Sequence, residues 1–146
     1  MNLNADLKEF LGLLNSRGVD YVIVGAHCLA FHGRPRYTGD LDILISPTPD
    51  NAAKIAKLVV AFGFEEVSEE DFLERDQLIQ LGRAPYRIDL LTGLLGVETK
   101  EALATKVHAT LEDIPVPMLS KRLLIKNKAA VGRPQDLADL ETLKDQ

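Results

Sequence analysis

The chain alternates between segments with helical spacing of apolar residues and short apolar segments that are typical of strands. Over residues 3–17 the apolar residues recur every three or four positions and Gly18 follows, which predicts a helix with a glycine stop. The β-branched run 21–24 predicts a buried strand, because Val and Ile pack well on a pleated surface. The small residues after Gly25 predict a short helix over residues 26–31.

Helices and strands continue to alternate along the rest of the chain. Thr48 and Pro49 predict the N-cap and first turn of a helix that runs to about Phe62. Helices are also expected from Leu119 or Ser120 to Gly132, and from Pro134 onwards. This alternation predicts an α/β (or α+β) domain. The remaining predicted strands cover residues 41–45, 64–67, 77–81 and 86–91.

Length and composition narrow the class of protein. A chain of 146 residues corresponds to one domain, 1–146, with a C-terminal helical segment over about 119–146. The single cysteine, Cys28, cannot form an internal disulfide, which favours a reducing compartment. Because no apolar run approaches the ~20 residues of a bilayer span, and the N-terminus lacks a secretory pattern, we expect a cytoplasmic protein with no membrane partner.

Charge is distributed unevenly along the sequence. The net charge of −5 argues against indiscriminate nucleic-acid binding, which needs a basic surface. Residues 118–133 nevertheless contain no acidic residue, and such a basic segment favours a localised anion site such as a phosphate pocket. The alternative is a solvated helix face. The basic residues of this segment are Lys121, Arg122, Lys126, Lys128 and Arg133.

Paired carboxylates open the second predicted strand. On a strand, Asp40 and Asp42 project from the same face, about 6.5–7 Å apart along the chain, while Leu41 points into the core. Two adjacent carboxylates repel each other unless a cation lies between them, and Mg²⁺ favours one or two carboxylates together with substrate phosphates. The alternative is two exposed acids at the start of a strand.

A third carboxylate, Asp89, lies inside the apolar strand 86–91. Burying a carboxylate there is costly unless a cation or hydrogen bonds compensate it. If this strand lies beside the strand of Asp40 and Asp42, three carboxylates converge. The alternative is a salt bridge from Asp89 to Arg87 or Arg83.

Three further features lie near these acids in the sequence. Gly25 follows the first strand directly, so a phosphate could approach the backbone and the N–H groups of the next helix, although such glycines often serve sterics alone. Arg34 and Arg36 precede the acids and could bind phosphates or neutralise the acidic residues. A structural role is favoured over metal binding for the set His27, Cys28 and His32.

The order of these motifs resembles the nucleotidyltransferase superfamily of the polymerase-β type. A glycine dipeptide, a spacer, an Asp-x-Asp motif and a third acid on a later strand form the family pattern. More narrowly, the sequence is similar to minimal prokaryotic nucleotidyltransferases related to AbiEii-type toxins, whose C-terminal signature resembles residues 123–140. The resemblance extends from Val22 to about Leu143. Its motifs here are Gly25-Ala26, Arg36-Tyr-Thr38-Gly-Asp40-Leu-Asp42 and Asp89.

The resemblance implies a fold and a set of site residues. The fold is a small mixed β-sheet flanked by helices, with further helices at the C-terminus. Asp40 and Asp42 would bind two Mg²⁺ (or Mn²⁺) ions, and Asp89 would complete the site and assist deprotonation of the attacking hydroxyl. The implied nucleotide-binding residues are Gly25, Ala26, Arg36, Thr38, Lys126, Lys128 and Arg133.

The resemblance also implies a reaction and partners. The protein would move a nucleoside monophosphate from a nucleoside triphosphate to a hydroxyl on RNA or protein, with an antitoxin protein or a second copy of the chain as a candidate partner. Ala26 stands where the family usually has Gly or Ser. This departure and the short chain favour the alternative of a non-catalytic module that binds a nucleotide or a partner. A third alternative is a structural domain with acidic residues on its surface.

Overall fold

The computed structural model describes residues 5–33, 39–83 and 86–144, so the predicted site residues Arg36 and Thr38 lie outside the described residues. The helices are α1 (Ala5–Ser16), α2 (Gly25–His32), α3 (Pro49–Ala61), α4 (Thr99–Ala104), α5 (Lys121–Val131) and α6 (Pro134–Lys144). The strands are β1 (Tyr21–Val24), β2 (Asp40–Ile45), β3 (Leu78–Arg83), β4 (Tyr86–Leu91), β5 (Val107–Leu111) and β6 (Ile114–Met118). Over the described ranges, none of the helices has the length and apolar character required to span a bilayer.

The six strands form one mixed sheet in the order β3-β4-β2-β1-β6-β5. β2 runs parallel to β4, and β1 is antiparallel to β2 but parallel to β6. The two outer pairs, β3–β4 and β5–β6, are antiparallel. The prediction of an α/β fold with a small mixed sheet is therefore confirmed.

The core surrounds the two central strands. All four residues of β1 are buried, and the apolar side of α1 buries Phe10 completely against the edge of Phe62, with ring centroids 5.2 Å apart. Every residue of β2 except Asp40 and Asp42 is buried. The two acids are thus the polar exceptions on an otherwise apolar strand, which holds their backbone in place.

The strand predicted over residues 64–67 is wrong. This segment forms turns, and a 3-10 helix follows at Glu69–Phe72. Phe64 stacks on Phe62, with centroids 6.3 Å apart, so its apolar side chain packs against the end of α3 rather than in a strand. Ser68 and Asp71 then cap the 3-10 helix reciprocally, which stabilises a helical turn at this point of the chain.

The hairpin β5–β6 and the short helix α4 were not predicted from the sequence. β6 contains Pro115 and Pro117, which normally argue against a strand. Leu119 N–H donates to the Ile23 carbonyl of β1, so by the two-residue period the absent N–H groups of both prolines also face β1. Pairing between β1 and β6 is correspondingly short, and β6 is held mainly by β5.

Candidate active site

Three carboxylates converge on one face of the sheet. β2 and β4 are parallel neighbours, and their register places Asp42 directly opposite Asp89. Asp40 lies opposite Arg87 in the same register. Because side chains two residues apart share a face, all four project to the same side, from strands about 4.8 Å apart. We call Asp40, Asp42, Arg87 and Asp89 the carboxylate cluster.

Arg87 bridges two members of the carboxylate cluster. Its Nε lies 2.8 Å from Asp89 Oδ1, and one terminal nitrogen lies 3.1 Å from Asp89 Oδ2. The same nitrogen lies 3.3 Å from Asp40 Oδ2. The ion pair between Asp89 and Arg87, considered from the sequence as an alternative to metal binding, is therefore present, and it coexists with the convergence of the three acids.

The surroundings of Asp42 disfavour its charged form. Burial, followed by the adjacent charge of Asp89, raises the pKa of Asp42 from its ordinary value of 3.8 to about 7. Arg87 opposes this rise without cancelling it. Arg87 is thus paired with Asp40 and Asp89, while the pKa of Asp42 stays raised.

Gly25 lies against the Asp42 carboxylate at the start of α2. Its φ of +71° belongs to the left-handed region, and a Cβ at this position would overlap the carboxylate. Only glycine therefore fits between β1 and Asp42. The structure brings Gly25 and the first turn of α2, which includes Ala26, beside the carboxylate cluster, and N–H groups of a first helical turn attract anions.

Two polar residues of α2, Cys28 and His32, hold this helix in place. His32 Nε2 lies 2.7 Å from the Leu119 carbonyl oxygen, and the Cys28 thiol donates to the same oxygen at 3.3 Å. His27 is buried beside the Asp40 backbone, and burial lowers the pKa of its imidazole. Burial raises the pKa of the Cys28 thiol to about 12, which keeps it protonated and unreactive.

The carboxylate cluster suits a divalent metal in its donor types. Carboxylate oxygens are the ligands that Mg²⁺ prefers, and a bound cation would favour the charged form of Asp42. Within the described ranges, however, no three such side chains are grouped around a common point as a metal requires. Two of the three carboxylates are instead turned onto Arg87. The donor types therefore fit a divalent ion, while in this arrangement two of the carboxylates are bonded to Arg87.

The basic segment of residues 118–133 is largely neutralised by acids elsewhere in the chain. Lys128 is buried and pairs with Asp136 and Asp139 at 3.2 and 3.1 Å. Arg133 pairs with Asp136 at 2.7 Å, and its backbone N–H donates to the same carboxylate. We call Lys128, Arg133, Asp136 and Asp139 the helix-pair cluster. It joins α5 to α6.

The predicted phosphate-binding residues of this segment therefore differ in their surroundings. The Lys128 ammonium is directed into the helix-pair cluster, and its charge acts on the buried Cys28 thiol. The Arg133 side chain is 71% exposed while it pairs with Asp136. Lys126 is exposed on α5. Contact of these residues with a nucleotide stays a prediction.

Sequence reasoning missed one polar residue on the same face. Gln80 of β3 lies directly opposite Asp89, and it is exposed. Leu78, two residues earlier, is 53% exposed and shares this face. Nothing in the sequence indicates that Gln80 adjoins the acids, because its position depends on the register between the antiparallel strands β3 and β4. Together these residues form a partly open surface beside the carboxylate cluster.

No protein-family model matches the sequence, and no curated protein is significantly similar to it. Solved structures do match. A candidate nucleotidyltransferase of Thermotoga maritima is 17% identical with a TM-score of 0.62, over 96% of this chain and 91% of that one. The lincosamide antibiotic adenylyltransferase LnuA with bound lincomycin is 14% identical with a TM-score of 0.59, over 99% and 98%.

A third similar structure is ANT(2")-Ia in complex with adenylyl-2"-tobramycin. It is 13% identical with a TM-score of 0.62, over 95% of this chain and 86% of that one. At these identities the likeness shows the fold alone, and the fold is that of the nucleotidyltransferases. The fold expected from the sequence motifs is therefore confirmed, while the narrower resemblance to AbiEii-type toxins stays a prediction.

Proposed function

We propose that the protein is a metal-dependent nucleotidyltransferase that moves a nucleoside monophosphate from a nucleoside triphosphate to a hydroxyl group. The observation that carries this proposal is the convergence of Asp40, Asp42 and Asp89 beside Gly25 in a nucleotidyltransferase fold. Reactions of this kind require little covalent chemistry from the protein, because positioning and charge neutralisation dominate them. A carboxylate cluster that holds divalent ions next to a helix N-terminus would supply both.

The residues would divide the work as follows. Asp40, Asp42 and Asp89 would hold Mg²⁺ or Mn²⁺, which when bound neutralises phosphate charge. The backbone around Gly25 and Ala26 would face the β- and γ-phosphates. The acceptor oxygen forms a bond to the α-phosphorus. At the same time, the bond breaks between that phosphorus and the oxygen that links it to the β-phosphorus. Pyrophosphate leaves, and the hydroxyl proton passes to Asp89.

Two classes of acceptor follow from different observations. The resemblance to toxin-related nucleotidyltransferases favours a hydroxyl on RNA or protein in the cytoplasm, with an antitoxin protein or a second copy of the chain as partner. The likeness to LnuA and ANT(2")-Ia, whose structures contain lincomycin and adenylyl-tobramycin, favours a small hydroxylated molecule. A non-catalytic nucleotide-binding module is the second candidate function, supported by Ala26 and by the pairing of Arg87 with two of the acids.

Transfer of label from α-labelled nucleoside triphosphates tests the proposal. Each triphosphate is incubated with the protein, Mg²⁺ and either a cell extract or hydroxylated small molecules. The Asp40→Asn/Asp42→Asn variant is the negative control, and Asp6→Asn/Asp50→Asn, which changes two exposed acids, is the matched positive control. We expect label in one acceptor class that only the first variant loses. Nucleotide binding without transfer would favour the non-catalytic module.

A further inference from the structure

Arg87 is bonded to the carboxylate oxygens that a divalent metal would require. Its guanidinium makes a forked pair with both oxygens of Asp89, at 2.8 and 3.1 Å, and also reaches Asp40 at 3.3 Å. A forked arginine–carboxylate pair is directional and occupies both oxygens at once. The guanidinium and a divalent ion cannot both use these oxygens in this way.

The exposure of the side chains indicates which group can move. The Asp89 side chain is 10% exposed on a strand between two others, whereas the Arg87 side chain is 31% exposed. Asp40 is 38% exposed at the first residue of β2. The long arginine can therefore rotate into solvent without a change in the sheet, and the carboxylates stay in register.

We propose that Arg87 is a metal-competing residue. It neutralises Asp40 and Asp89 while no metal is bound, and it releases both carboxylates when a divalent ion enters the carboxylate cluster. Arg87 thereby sets the metal affinity and keeps the three acids close together in the free protein. This inference rests on the proposed function, because it takes the carboxylate cluster to be the metal site, and it adds a residue that opposes metal binding.

Mn²⁺ binding to the metal-free full chain tests this inference independently of catalysis. The loss of the free Mn²⁺ electron paramagnetic resonance signal measures the affinity of the wild type and of Arg87→Gln and Arg87→Lys. Arg83→Gln is the matched control, because it removes an exposed arginine of the neighbouring strand β3. We expect Arg87→Gln to bind Mn²⁺ about tenfold more tightly, since it removes both the competing bonds and a like charge.

The other variants separate competition from long-range charge. Arg87→Lys keeps the charge and loses the fork, so we expect an affinity between those of the wild type and Arg87→Gln. Arg83→Gln should bind like the wild type. An equal gain in Mn²⁺ affinity in Arg83→Gln would overturn the inference, and so would wild-type affinity in both Arg87 variants. In either case, binding of Mn²⁺ by the wild type would leave the proposed function standing.

A melting experiment covers the case in which Arg87→Gln folds poorly without metal. We expect this variant to melt at a lower temperature than the wild type in chelator, and to gain more from Mn²⁺. A smaller gain than the wild type shows would mean that Arg87 supports metal binding, which contradicts the inference. If neither the wild type nor any variant binds Mn²⁺ or labels an acceptor, the inference and the proposed function both fail.

Discussion

Two clusters of charged side chains among the described residues differ in how far their positive and negative charges balance. The helix-pair cluster contains two carboxylates and two cations, whereas the carboxylate cluster contains three carboxylates and the single cation Arg87. In the first, the Arg133 hydrogen bond lowers the pKa of Asp136 to about 2. In the second, burial and Asp89 raise the pKa of Asp42 to about 7.

The difference shows how the same residue type can stabilise the fold in one place and, in the function proposed above, bind a ligand in another. The balanced cluster favours the charged form of Asp136 and ties two helices together. An unbalanced cluster raises the energy of the free protein and lowers it again when a cation binds. We expect substitutions to act accordingly: stability should depend on the helix-pair cluster, and activity on the carboxylate cluster.

The largest expected effect is on transfer. Asp40→Asn/Asp42→Asn should reduce nucleotidyl transfer by about 10³-fold or more, because the two carboxylates proposed to hold the phosphate-neutralising metal ions lose their charge. Its melting temperature should equal or exceed that of the wild type, since like-charge repulsion is relieved. Initial rates with labelled triphosphate check the loss of transfer, and a thermal melt checks the melting temperature. Full activity in this variant would refute the site assignment.

The next effect is on stability at the helix-pair cluster. Asp136→Asn should lower the free energy of unfolding by about 3 kcal/mol, because buried Lys128 loses one of its two partners and α6 loses a bond at its first turn. Urea unfolding measures this, with Glu141→Gln on an exposed position of α6 as control. The loss should shrink as the pH falls from about 4 towards 2, where the wild-type Asp136 is itself protonated.

Asp42→Asn should raise the free energy of unfolding, whereas Asp136→Asn lowers it. The folded state raises the pKa of Asp42 from 3.8 to about 7, so its ionisation opposes folding increasingly as the pH rises through this interval. In chelator, the variant should therefore match the wild type below about pH 4 and exceed it by about 2 kcal/mol above pH 7, a value reduced for partial exposure. Urea unfolding across pH checks this. A variant less stable at pH 8 would contradict the assigned repulsion.

The smallest effect concerns Lys126, an exposed basic residue of α5. Lys126→Ala should weaken triphosphate binding about fivefold, the scale of one exposed charge acting on a charged ligand, and leave Mn²⁺ affinity unchanged. Lys57→Ala removes an exposed lysine of α3 and is the matched control. Equal triphosphate affinity in the two variants would remove Lys126 from the proposed nucleotide site.

Local signals in the sequence predict most of the elements that carry the site. Residues 21–24 and 86–91 form strands with the predicted bounds, and α5 ends at Gly132 after a start capped by Ser120. The shared face of Asp40 and Asp42 follows from the two-residue period alone. These features depend on a few residues that are neighbours in the sequence, which is why a sequence pattern can predict them.

Features that depend on distant residues could not be predicted in this way. The pairing of Lys128 with Asp136 and Asp139 requires the packing of α5 on α6, so the basic segment alone suggested more free charge than exists. The hairpin β5–β6 turns at Glu112 and Asp113, both with positive φ, without the glycine that usually marks such a turn. The bond from Arg87 to Asp40 depends on the register of β2 and β4, whereas the forked pair with Asp89 lies within β4.

The order of strands also has a consequence for how the chain is made. The three carboxylates all precede residue 92, so they leave the ribosome before β6, whose Met118 pairs with Ile23 of the central strand. Until then β1 has an unpaired apolar edge, which is the kind of surface that aggregates. A chain stopped after β4 would contain every proposed catalytic acid and still be prone to misassociate, so folding yield depends on the last third of the sequence even though none of these acids lies there.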